Sequence, residues 1–393
     1  MPASALFHPA VSPVRRIGLV GTYPPQVCGL ATFAAALVKG LGDGRNHVDV
    51  VRLDDGSQSE RVELSARTAA TLVNGSADSI QQAAIALSRC GVAIIQHEYG
   101  IYGGEDGDEV ITLMQALDVC SIVTLHTVPL TPTVRQRAVL ETIVELADRV
   151  VVMSVTAQRR LASLYSVDPA KVAVIPHGAT LPVHVRSQVD PLGPVPPQLL
   201  TWGLLGPGKG IEHAIDALGL LGEIGIRPRY TVAGVTHPKV LVHSGDRYRR
   251  SLIERAHDLG VGGQVTFDAS YRNVSELMRF VASAEVIVLP YDSRDQVTSG
   301  VLVDAIAAGR PVIATAFPHA VEILSDGAGI VVPHGDPNAL AVAIRDVITD
   351  NVRAESMADR AAALAPTLAW SRIAAQYCAL ADEIAAAHRL VAM

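Results

Sequence analysis

Residues 291–322 read YDSRDQVTSGVLVDAIAAGRPVIATAFPHAVE, and this stretch decides what kind of protein the chain is. Just upstream, 285–289 (EVIVL) is a short β-branched apolar run, as expected of a buried strand. Ser299 is placed to cap a helix opening at Gly300 and Val301, and Gly309 is placed to stop it. Residues 311–315 (PVIAT) supply the next strand. Strand, loop, helix and strand in this order are the unit of a parallel sheet. The helix opens at the end of a strand, so its unpaired N–H groups and positive dipole end make a phosphate site.

Working outward, the same alternation fills the chain. Residues 16–21 (RIGLVG) predict a strand, 22–29 (TYPPQVCG) a glycine-bearing loop, and 30–41 an amphipathic helix. Strands follow at 47–53, 92–96, 122–126, 149–153 and 172–175, with helices at 79–89, 134–147 and 156–165. Residues 181–198 carry five prolines and read as a linker. Beyond it lie strands at 199–204, 230–234, 264–267, 285–289, 311–315 and 329–332, and helices at 211–221, 248–259 and 274–282. Terminal helices are expected at 338–349, 354–363 and 370–387. The fold class is therefore α/β: two Rossmann-like parallel-sheet domains facing a cleft, over 1–185 and 186–369. The last helix, within 370–390, is long enough to return to the first domain.

The 393 residues exceed one ordinary core, and 49% hydrophobic with 18% charged residues suits a packed globular chain. A net charge of −7 argues against a general nucleic-acid binder. The four cysteines, Cys28, Cys90, Cys120 and Cys378, form no metal spacing or disulfide framework. The opening MPASALFHPAVSPVRR fails as a signal peptide, and no apolar run approaches the ~20 residues of a membrane span. A soluble cytoplasmic protein is expected.

Parallel units bind ligands at the carboxyl ends of their strands. There the first domain places 23–29, 97–104 (HEYGIYGG) and 126–129, offering Tyr23, His97, Glu98, Tyr102 and His126. The second places 206–210 (GPGKG), 234–237, 291–300 and 317–322. The glycines of 206–210 let backbone approach a phosphate and Lys209 adds a point charge; a turn with a solvated lysine is the other reading. The loop lacks P-loop spacing, the first loop lacks GxGxxG, and neither zinc spacing nor a GxSxG elbow occurs.

These residues resemble the family-4 retaining glycosyltransferases of the GT-B fold. The resemblance rests on TYPPQVCGLATF, VTLHTV, DRVVVMS, KVAVIPHGA, the GxxxxxKG of 203–210, and LVDAIAAGRPVIAT followed by HAVE. It implies a nucleotide sugar on the second domain and the acceptor on the first. Lys209, with Gly208 beside it, would contact the donor diphosphate, and Ser299, Gly300, Val301 and Leu302 would offer it N–H groups. His126 would lie beside the transferred sugar, Gly29 and Leu30 would approach the donor phosphates or the acceptor, and Glu322 would fall near the ribose or base. Tyr23, His97, Glu98 and Tyr102 would face the acceptor or sugar.

Two departures stand out: the usual glutamate pair spaced by seven becomes Gln296 and Asp304, and an arginine often found in GxxxxxKG is Leu204. His126, Lys209 and Gln296 are the residues expected to carry catalysis. The subfamily wording DQVTSG points towards actinobacterial mannosyltransferases, hence GDP-mannose as donor, with UDP-glucose second. The acceptor would be an oligo- or polysaccharide hydroxyl. No cofactor or catalytic metal is expected, which leaves room for Mg2+ as a non-essential ion, and a homodimer is compatible. An epimerase, or a non-catalytic nucleotide-sugar binder of the same fold, is the competing class.

Overall fold

The computed structural model describes residues 15–26, 28–42, 46–54, 68–182 and 196–391. The expected first-domain boundary at 185, most of the proline-rich linker and the opening MPASALFHPAVSPV lie outside these residues.

The first sheet is formed by β1 (Arg15–Gly21), β2 (Asn46–Asp54), β3 (Thr68–Val73), β4 (Val92–His97), β5 (Ser121–Leu125), β6 (Arg149–Val152) and β7 (Val172–Val174). The second contains β8 (Gln198–Trp202), β9 (Arg229–Ala233), β10 (Val265–Asp268), β11 (Val286–Leu289), β12 (Val312–Thr315) and β13 (Gly329–Val332). Their orders are β3-β2-β1-β4-β5-β6-β7 and β10-β9-β8-β11-β12-β13, with all pairings parallel. Strands such as β4, whose VAII run is followed by buried Gln96 and His97, are buried at all six positions because helices cover both faces. In each sheet the strand order reverses beside its first strand, at β1/β4 and at β8/β11. The loops after these four strands therefore open the ligand crevice.

The expected strands are present within two residues at either end, but β3 was not anticipated. Its sequence TAATLV sits half-exposed at the sheet edge, where only Leu72 is buried, so no apolar run marks it. Two short helices, Glu109–Gln115 and Pro238–Ser244, were not expected either.

The final helix, Trp370–Val391, does return to the first domain. Ile373, Ala374, Tyr377, Leu380, Ala381 and Ile384 complete the core formed by Ile17, Leu19, Phe33 and Leu37. Tyr377 Oη bonds Thr124 Oγ1 of β5 at 2.9 Å. The two interdomain crossings run side by side: Ala179 N–H donates to Leu368 O at 2.7 Å, and Trp370 packs on Gly178. Among the described residues no helix is long and apolar enough to cross a membrane.

Candidate functional site

On the second domain, β11 runs into Pro290 and the loop that ends at Ser299, where the helix Gly300–Ala307 begins. Ser299 caps this helix as its sequence predicts: its Oγ accepts from Leu302 N–H at 3.3 Å, and its carbonyl accepts from Val303 N–H at 3.2 Å. Its own N–H donates to His319 Nδ1 at 2.9 Å. Of the four N–H groups expected to face a diphosphate, those of Ser299 and Leu302 are thus already engaged. Gly300 and Val301 keep N–H groups without an acceptor among the described residues. The Ser299 side-chain cap consumes the Leu302 N–H, and His319 on the next helix takes that of Ser299 itself.

Lys209 comes from the turn after β8. Gly210 is left-handed at φ 61°, and a Cβ there would stand 1.8 Å from Pro290 O, so the lysine turn lies directly against the β11 loop. Asp292 N–H donates to Gly208 O at 3.0 Å, locking the two loops together. Lys209 Nζ lies 4.5 Å over the Tyr291 ring, and burial lowers its pKa. Gly208 is exposed, with open space beside its Cα. Gln296 Nε2 donates to Thr298 O at 3.1 Å, closing the loop before Ser299. Asp304 stands one turn into the helix, its carboxyl pushed up to about 7 by burial.

On the first domain, His126 follows β5, its ring edge-on to Phe33 at 4.8 Å. Its Nε2–H donates to Gln96 Oε1 at 2.5 Å, and burial brings its pKa down to about 3, with His177 and His97 adding to the shift. His126 is therefore a neutral imidazole with Nδ1 as its acceptor nitrogen. Phe33 sits one turn inside the helix Gly29–Leu41, which Cys28 caps through Sγ. Gly29 is exposed with open space beside it, and Leu30 and Tyr23 are half-buried. His177 spans the gap: its ring lies 5.0 Å from Phe33, and its Nε2 would be 2.9 Å from a Cβ on Gly300. One aromatic column thus links the first helix start, His126 and the second helix start.

Three expected residues lie elsewhere. His97 is fully buried at the end of β4 against Tyr99, neither ring nitrogen bonded, so it lines the core. Tyr102 is also buried, its hydroxyl donating to Gln96 O at 2.8 Å. Glu322, expected beside ribose or base, instead accepts from Val155 N–H and Thr156 N–H, both at 2.8 Å, and from Thr156 Oγ1 at 2.7 Å. It caps a first-domain helix, because the PHAVE turn faces across the cleft. Glu98 is half-buried, accepting from Thr127 Oγ1 at 2.5 Å and from Tyr99 N–H.

Sequence reasoning missed His177 and His319, although IPHGA and PHAVE both lie just past strand ends, where such residues gather. Burial lowers both to about 4. Glu212, His213 and Asp292, beside the lysine turn, bring three ligand atoms within 4.8 Å of one another and are the residues here that could hold a cation. His213 Nε2 and Asp292 Oδ1 are 3.0 Å apart, and Glu212 accepts from Tyr248 Oη at 2.7 Å.

Comparison with known proteins adds family information to this geometry. Residues 188–364 match Glycosyl transferases group 1, and residues 27–181 match Glycosyltransferase Family 4, so the two matches fall on the two sheets. D-inositol 3-phosphate glycosyltransferase of Kineococcus radiotolerans is 28% identical over 250 residues, 59% of this chain and 56% of that protein. The protein of that name from Geodermatophilus obscurus is 30% identical over 63% of this chain and 56% of its own length. The chain thus spans little more than half the length of the curated relatives it matches. Among solved structures, sucrose-phosphate synthase of Thermosynechococcus elongatus superimposes with a TM-score of 0.73 at 21% identity, covering 95% of this chain and all of that one. Anabaena HepE in complex with UDP and glucose gives 0.70 at 18%, covering 94% and 100%. These two likenesses establish the GT-B fold.

Proposed function

Because the chain belongs to the GT-B glycosyltransferases through both of its domains, we propose that it moves a hexose from a nucleoside diphosphate to an acceptor hydroxyl, with retention at the anomeric carbon. The observation that carries this reading is that Lys209 lies over Tyr291, in the loop that leads to the free Gly300 and Val301 N–H groups, while Phe33 and His177 connect that helix start to neutral His126. The donor diphosphate lies between Lys209 and the helix start, where a cation, two N–H groups and a dipole oppose the charge that grows as the sugar leaves. His126, uncharged and held by Gln96, positions the sugar through Nδ1 and does not take the acceptor proton. The departing phosphate receives that proton. Gln296, in the loop that leads into Ser299, reads a donor hydroxyl.

The reaction needs no metal ion. The donor is a nucleoside-diphosphate hexose, and GDP-mannose and UDP-glucose are the first two to assay. The curated relatives carry D-inositol 3-phosphate in their name, so the acceptor panel sets phosphorylated polyols beside oligosaccharides. The test is a thermal-shift panel of GDP, UDP, ADP and their sugars. Ligand at 100 times its dissociation constant should stabilise by about 2.7 kcal/mol. Absence of a shift with every nucleoside diphosphate refutes the reading. Donor isomerisation without acceptor identifies an epimerase instead.

A further inference from the structure

We propose that the short helix Pro318–Leu324 fastens the donor site to the first domain, with Glu322, Asp295 and Arg160 as positioning residues; this rests on the donor-site reading above. The contacts form two routes that converge on Ser299.

The first route runs through Glu322. The first-domain helix Val155–Leu164 begins at Ser154, whose Oγ accepts from Ala157 N–H at 3.1 Å. The preceding two N–H groups, of Val155 and Thr156, have no acceptor in their own domain and take the two carboxylate oxygens of Glu322. The cap of an acceptor-domain helix is therefore completed by an acid of the donor domain, charge against positive dipole end. Three residues earlier on the same short helix, hence on a neighbouring face, His319 accepts from Ser299 N–H.

The second route runs through the donor loop itself. Arg160, nearly buried, donates through Nη1 to Val128 O at 2.7 Å, to Asp295 O at 3.1 Å and to the Asp295 carboxylate. That carboxylate also accepts from Leu130 N–H at 3.2 Å. Val297 is buried within the first domain's apolar cluster. Between them Gln296 O accepts from His319 N–H at 3.3 Å, returning to the short helix.

Both routes cross the cleft and end at the residue that caps the candidate phosphate-binding helix. The bond between Ser299 and His319 lies within one domain and survives opening. What the clasp adds is the placement of that helix start against His177, Phe33 and His126. Apart from the Val297 side chain, the groups that leave each other when the cleft opens are all able to bond water, so the polar part of the clasp is reversible.

The test compares wild type with Glu322→Ala and with Thr156→Val, which removes the hydroxyl bond from the opposite domain and protects against a folding failure of either variant. Small-angle scattering without ligand reads closure, and steady-state kinetics with isothermal titration separate kcat from donor affinity. Glu322→Ala should raise the radius of gyration and lower kcat at least about tenfold, with donor affinity within about threefold. Thr156→Val should do the same more weakly, and adding it to Glu322→Ala should cost nothing further, as for coupled partners. Glu322→Gln, which keeps one acceptor oxygen, should recover part of kcat. An unchanged radius with kcat per folded molecule within about twofold overturns the proposal. So does a large loss of donor affinity at unchanged radius, which would return Glu322 to the nucleotide. If wild type binds no nucleoside diphosphate, the reading in the preceding section fails on its own, and the radius still decides whether the clasp exists.

Discussion

Lowering the pH from about 7.5 to about 5.5 should destabilise this protein through four histidines that fold as neutral rings. Burial takes His126 down to about 3 and His97, His177 and His319 to about 4. Their unfolded values lie near 6.5. A depressed histidine contributes stability that is fully present above the unfolded pKa and is lost as pH falls from about 6.5 towards the folded value. Each of the four loses a little over about 1 kcal/mol between pH 7.5 and 5.5, roughly 5 kcal/mol in all as an upper bound.

Asp304 opposes them. Its carboxyl, raised to about 7, binds a proton that the unfolded chain releases, and so regains about 2 kcal/mol over the same interval. The histidines win. At pH 6 unfolding should take up roughly two protons net, about three on the histidines less about one from Asp304. The assay is the pH dependence of the calorimetric transition, with proton uptake read from buffers of different ionisation enthalpy. His97 is the cleanest single probe, since neither ring nitrogen has a partner to lose. His97→Leu should lower the uptake by about three quarters of a proton. Net proton release at pH 6, or a His97→Leu uptake equal to wild type, would refute the assignment of these rings as neutral.

Further outcomes concern the donor side. Lys209→Ala should weaken donor binding by about 1.5–3 kcal/mol by titration calorimetry, as for a bond to a charged group, and an unchanged affinity would remove the lysine from the site. Gly300→Ala places a Cβ 2.9 Å from His177 Nε2, and the ring must move. We expect a stability loss of about 1–3 kcal/mol together with weaker nucleotide binding, whereas a variant indistinguishable from wild type would break the aromatic column. Turnover in excess chelator should match turnover without it; complete loss would end the metal-independent proposal and make Glu212, His213 and Asp292 the first residues to substitute.

Much of the fold was legible because its signals are local. Strands such as VAIIQH and VIAT, buried on both faces, open on short apolar runs whatever their neighbours, and a Ser299 cap needs only its own next three residues. The edge strand Thr68–Val73 was not legible, because at an edge the pairing is specified by the neighbour rather than by the strand. The signals for the candidate site are equally local: Lys209 and Gly300 lie in loops after strand ends, where parallel sheets bind ligands.

The chain by itself therefore determined two Rossmann-like sheets, the lysine turn and the capped helix start. Tertiary structure alone decided which of the candidate residues keep unpaired groups and which are spent on the protein's own contacts. His97 and Tyr102 follow one strand end, yet both turn into the core. Glu322, which sequence could only place near a nucleotide, spends its two oxygens on a helix 166 and 167 residues away. The physical reason is that a carboxylate goes to the nearest unpaired N–H groups, and here those belong to the other domain.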